Sequence, residues 1–95
     1  MRFQWDPKKG QANLKKHGLS FEEAIRAFDD PMALIAPDEK HSLREKRHWL
    51  IGQTEWGKTL VVVYTARGGA LRIISARVAN RKERRIYEAF KRISI

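Results

Sequence analysis

The chain contains no cysteine, which rules out a disulfide framework and any thiolate metal site. That absence does not report the redox compartment. No apolar run approaches the ~18 residues a membrane span needs. The first twenty residues carry Lys8, Lys9, Lys15 and Lys16 with no apolar block, so no secretory signal is expected. A soluble, cytoplasmic protein is the expectation. The sequence also lacks a Walker loop, a glycine-rich dinucleotide turn and a G-x-S-x-G elbow. His17, His41 and His48 lack metal-ligand spacing and no carboxylate pair stands out, so neither a metal nor a cofactor is expected.

Acidic residues are scarce in one half only. Residues 1–45 hold 8 Lys/Arg and 8 Asp/Glu, whereas residues 46–95 hold 12 Lys/Arg and 3 Glu, so the whole excess of +9 lies in the second half. Such asymmetry points to a polyanionic partner such as nucleic acid, an acidic protein or a membrane surface. A solvated basic surface is the plainer alternative. With 95 residues and 42% apolar content, the chain suits one domain over residues 1–95. A domain of this size is marginal alone, so a permanent partner could contribute to its stability.

Local signals predict the elements in order. Phe3 and Trp5 suggest a short strand. Asp6 as N-cap and Pro7 at the first helical position open a surface helix that ends near His17, with Gly18 as its C-cap. Ser20 and Glu23 form a capping box for a second helix, whose stripe is Phe21, Ala24, Ile25 and Phe28. Asp29-Asp30-Pro31 stops it. Strands follow at Met32–Ala36, Arg47–Gln53, Thr59–Ala66 and Leu71–Val78, with a charged loop at Pro37–Arg44. The third is apolar enough to be covered on both faces. Asn80 and Glu83 cap a last helix with Ile86, Phe90 and Ile93 as its inner stripe. The expected fold is α+β, in the order β-α-α-β-β-β-β-α, with helices packed on an antiparallel sheet.

Four clusters could carry chemistry. Arg72 and Arg77 stand in an apolar strand, where strict alternation puts Arg72 with Ile74 and Ala76, and Arg77 with Leu71, Ile73 and Ser75. Such arginines are either paired with carboxylates at the rim or turned to a groove, where a guanidinium fork suits phosphate oxygens. Arg81, Lys82, Arg84 and Arg85 make a basic helix face that could grip phosphates without sequence preference, or could merely be solvated. Tyr87 nearby could stack or donate a proton, or pack with its hydroxyl wet. Lys16 and His17 end the first helix, where His17 could be a general base or simply complement the helix dipole. Glu45 and Arg47, two residues apart, could be a base and a positioning group, or a surface ion pair.

Read together, Trp5-Asp6, Asn13, Lys16-His17-Gly18, Ser20-Phe21, Phe28-Asp29-Asp30, Glu45, Arg47, Gly52, the run Arg72 to Arg77, and Glu83-Arg84 with Tyr87 resemble the BrnT toxin family, over residues 2 to about 90. The resemblance implies a RelE-like toxin fold and a ribonuclease that arrests growth. It implies neutralisation by a BrnA-type antitoxin carrying a ribbon-helix-helix domain, whose dimerisation would join the complex into a heterotetramer. Operator DNA would be bound only through that antitoxin. The tail Lys91–Ile95 lies outside the resemblance and could touch the antitoxin.

A mechanism without metal would have the RNA 2′-hydroxyl attack the adjacent phosphate, which needs a base, an acid and a cationic cradle. The candidates are Arg72, Arg77 and Arg47 for the cradle, Glu45 or His17 for the base, and Tyr87 or Lys16 for the acid. Two alternatives stay open: a non-catalytic nucleic-acid-binding module, and a subunit whose basic half only receives an acidic antitoxin segment.

Overall fold

The computed structural model describes residues 1–41 and 44–93. Ser42 and Leu43 of the charged loop, and Ser94 and Ile95 of the tail proposed to touch an antitoxin, lie outside the described residues. The elements are β1 (Phe3–Gln4), α1 (Pro7–His17), α2 (Phe21–Ala24), β2 (Leu34–Pro37), β3 (Arg47–Gln53), β4 (Thr59–Arg67), β5 (Ala70–Val78) and α3 (Arg81–Ile93), with 3-10 turns at Ile25–Asp29 and Glu39–His41. They form one compact α+β domain around a five-stranded sheet ordered β1-β5-β4-β3-β2.

The sheet is mixed, which corrects the antiparallel expectation. β2 to β5 form the expected antiparallel meander. β1, however, lies parallel to β5, pairing Phe3 with Leu71 and Gln4 with Arg72. Two residues suffice for this, because α1 and the whole meander intervene and supply the crossover a parallel pair requires.

Local chemistry sets the helix ends. The Asp6 carboxylate accepts from the Lys8 N–H at 2.9 Å, Pro7 occupies the first turn, and Gly18 closes α1 at φ 67°, a conformation that favours glycine. Ser20 caps α2 by accepting from the Glu23 N–H. The Ser20 half of the predicted box forms, while Glu23 turns its carboxylate to Lys58 Nζ, 2.9 Å away. After Ala24 the helix tightens into the 3-10 turn that ends at Asp29.

α1 is anchored by a polar residue. Asn13, its one buried residue, donates from its amide to the carbonyls of Leu19 and Ala76, at 2.9 and 2.8 Å, and accepts from the Ala76 N–H at 3.1 Å. Beyond the two residues paired with β1, the outward N–H and carbonyl of Ala76 on β5 are thus satisfied by a side chain instead of a strand.

The two faces of the sheet are covered unequally. On the first, Leu50, Leu60, Val62, Tyr64, Ile73 and Ala76 pack against Leu19, Phe21, Ala24 and Ala27. On the second, a smaller cluster joins Ile51 and Val61 to Tyr87 of α3 and to Ala79 just before it, with Leu34 and Trp49 packed alongside. β4 is therefore buried on both sides along most of its length, as its apolar run predicted.

Gly52 explains how closely the 3-10 turn approaches β3. A Cβ there would stand 2.6 Å from the Ala27 carbonyl oxygen and 2.9 Å from Leu50 Cδ2. Gly52→Ala is expected to destabilise the fold by about 2 kcal/mol, because a backbone atom must move. Urea unfolding of the two proteins measures it.

Candidate nucleic-acid interface

A bulge decides where the arginines point. β4 and β5 pair Val62 with Ala76 and Val63 with Ser75, but then Tyr64 with Ile73, so Ile74 is passed over. Directly opposed residues share a face. Arg72, opposite Thr65, and Arg77, opposite Val61, therefore both lie on the second face with Ser75. Strict alternation had placed them on opposite faces. The extra residue reverses the count between them, while Ile73 and Ala76 still enter the core.

Across the sheet, Arg72, Thr65 and Arg47 form one row on that face. With strands ~4.8 Å apart, the two arginine backbones are about 10 Å from each other. Glu45 joins the row from the loop before β3. Its carboxylate takes Arg67 at 2.8 Å and Arg47 at 3.8 Å. The hydrogen bond from Arg67, together with the charges of Arg67, Arg47 and Arg72, holds this carboxyl below the usual carboxylate range. Lys40, His41, Arg44, Glu45, Arg47 and Arg67 line a depression of about 530 Å³. His41 is held there by Asp38, whose carboxylate lies 3.1 Å from Nδ1.

Arg77 belongs to a different arrangement. It makes two parallel 2.7 Å bonds to Glu83, and Glu83 also accepts from the Asn80 N–H while Asn80 accepts from the Glu83 N–H. The predicted capping box of α3 is complete, and its carboxylate serves a second time as the counter-ion of β5. The Arg77 hydrogen bond leads in holding the Glu83 carboxyl below its ordinary range. A depressed carboxyl pKa adds stability that is present above the unfolded value of ~4.3 and lost as pH falls through the folded one. At pH 7, Glu83→Gln is expected to melt a few degrees below the parent. Thermal scans should show that gap closing as pH falls below 4.

Tyr87 is only 1% exposed, and its hydroxyl donates to Asp30, which also accepts from the N–H groups of Gln53 and Met32. Burial first, and then Asp30, push the Tyr87 pKa up. Burial alone would raise the Asp30 pKa, yet the three hydrogen bonds and the Lys91 charge bring it down. The tyrosine thus joins α3 to the loop before β2. The predicted inner stripe of α3 is corrected accordingly: Ile86, Phe90 and Ile93 are 40%, 52% and 80% exposed.

Lys16 and His17 are exposed at the end of α1. Arg81, Arg84 and Arg85 line a shallow groove along α3 with Arg92, and Lys82 faces the sheet side instead. Arg84 also donates to the Ala79 carbonyl. Among the described residues no three His, Asp or Glu side chains converge as a metal-ligating group. Sequence reasoning brought out Glu45, Arg47 and Arg72, which share one end of the second face. It passed over Arg67, hidden beside the Gly68-Gly69 turn, and gave His41 at the start of the candidate loop no role of its own.

A family model described as "Ribonuclease toxin, BrnT, of type II toxin-antitoxin system" matches residues 5–83. The chain belongs to the BrnT toxin family. The crystal structure of the Brucella abortus ribonuclease toxin BrnT is similar at 28% sequence identity and a TM-score of 0.67, over 85% of this chain and 99% of that one. No curated protein matches the sequence significantly. Membership of a BrnT-type toxin–antitoxin family implies an antitoxin partner. No helix among the described residues is long and apolar enough to cross a membrane.

Proposed function

We propose that the protein is a RelE-like ribonuclease toxin that cuts RNA at the Arg47–Arg72 row, without a metal, in the cytoplasm. The observation that carries this reading is the gathering of Arg47, Arg67 and Arg72 around Glu45 on the uncovered half of the sheet. The guanidinium groups hold the scissile phosphate and stabilise charge on its oxygens in the transition state. The 2′-oxygen attacks phosphorus, the bond to the 5′-oxygen breaks, and a cyclic phosphate and a free 5′-hydroxyl result. One proton leaves the 2′-oxygen and another reaches the 5′-oxygen.

Glu45 stays ionised beside its arginines, which makes it a weak proton acceptor at neutral pH and a good counter-ion. His41, oriented by Asp38 in the same depression, is placed to move the proton. Arg77 supports the site by fixing α3. Tyr87, Lys16 and His17 stand outside it, and the basic face of α3 supplies long-range attraction.

The partner in this reading is a BrnA-type antitoxin with a ribbon-helix-helix domain. Its own dimerisation would make a heterotetramer that binds operator DNA. The exposed apolar residues of α3, set among six Lys and Arg, suit an amphipathic acidic segment of that antitoxin.

The test is induction in a bacterial host with and without the adjacent antitoxin gene, together with cleavage of total RNA by purified protein in EDTA. Growth arrest relieved by the antitoxin, and RNA cut in EDTA, are the expected results. Intact RNA and unaffected growth from a folded protein that still binds the antitoxin would leave only a binding subunit.

A further inference from the structure

A second depression, about 520 Å³, opens beside the arginine row. Its apolar lining comes from Trp49, Ile51, Val61, Val63 and Ile86; its α3 side carries Lys82 and the Arg77–Glu83 pair, and Asp38 borders it as well. It runs from the margin of α3 onto the part of the second face that the helix leaves uncovered, and its volume falls within the ~300–1,000 Å³ of small-molecule sites. His41 lines both depressions, so the two are adjoining parts of one surface. Along β3, Trp49 lies two residues from Arg47 on the same face, about 7 Å away. That is close to the separation of successive phosphates along an extended strand.

We propose that this trough is a nucleobase subsite, in which a base of the bound RNA stacks on Trp49 while its neighbouring phosphate lies at Arg47 and Arg72. The proposal rests on the RNA reading above and adds the part of the nucleotide that the arginines do not explain. An apolar trough with an aromatic wall, bordered by the arginine row on one side and by Lys82 on the other, fits a chain that alternates flat bases with negative charges. Aromatic stacking of this kind takes any base, because every base has a π-face. Single-stranded RNA presents such unstacked bases, whereas a duplex does not.

The experiment compares two non-cleavable octamers of equal charge: 2′-O-methyl oligouridylate, and the same sugar–phosphate chain without bases. Binding is measured by fluorescence anisotropy at fixed salt. The wild-type protein is expected to prefer the octamer with bases by about tenfold. Trp49→Ala should lose that preference and bind both as the parent binds the abasic chain. Trp49→Phe should keep most of it, which separates stacking from misfolding. A 2-aminopurine octamer, quenched on binding to the unmutated protein, reads the same contact without any substitution. An unchanged preference in a folded Trp49→Ala overturns the subsite. If that variant instead loses only its hold on the antitoxin, the trough serves a protein and the proposal also falls. If the wild-type protein binds neither octamer, the RNA reading itself fails.

Discussion

Arg72→Ala is expected to lower the single-turnover rate of RNA cleavage by about 10²–10³-fold, the cost of removing one donor from a transition-state oxyanion site. Arg72 lies between Gln4 of β1 and Thr65 of β4, so a paired strand on each side fixes its backbone. Its charge reaches Glu45, which places it in the same electrostatic cluster as Arg47 and Arg67. Melting temperature should change little, because the side chain is not part of either core cluster. Arg72→Lys keeps the charge but loses the fork, and should recover only part of the rate. Arg77→Ala provides the contrast. It breaks the two bonds to Glu83, so its effect should come with a lower melting temperature. Equal rates for Arg72→Ala and the parent, measured on the same RNA, would remove Arg72 from the site.

Asn13→Ala should produce the largest loss of stability among surface-helix substitutions. Three hydrogen bonds disappear together, and the Ala76 N–H and carbonyl and the Leu19 carbonyl are left facing a buried space. With a penalty of roughly 1–3 kcal/mol for an unsatisfied buried group, a total of about 3 kcal/mol is expected. For a domain of this size that is roughly 15 °C in melting temperature. Calorimetry of the two proteins measures it. A drop comparable to that of the exposed Leu14→Ala would mean that water replaces the amide.

The parts of the fold that were legible in the sequence are those set by neighbours in the chain. Asp6, Pro7 and Gly18 mark both ends of α1, and Asn80 with Glu83 marks the start of α3. The parallel β1 was not legible, because two residues carry no periodicity and their partners lie far along the chain. For α3, a 3.6-residue period offers two neighbouring stripes. Ile86, Phe90 and Ile93 form the more apolar one, yet Tyr87 turns inward because its hydroxyl meets Asp30. At the proposed site, residue type alone drew attention to Arg47, Arg72 and Glu45. The bulge at Ile74 was not visible to a period-two count. Trp49 escaped notice because a tryptophan in a strand is usually read as core.

Recognition by strand addition has little to work with here. β5 spends its outer edge on β1 and on Asn13. β1 would offer a visiting chain two residues, and β2 would offer four, the last of them Pro37, which has no N–H to give. Edges of this kind favour recognition through side chains over the addition of a backbone strand. A newly made copy waiting for a partner gives its siblings few backbone groups from which to start a fibre.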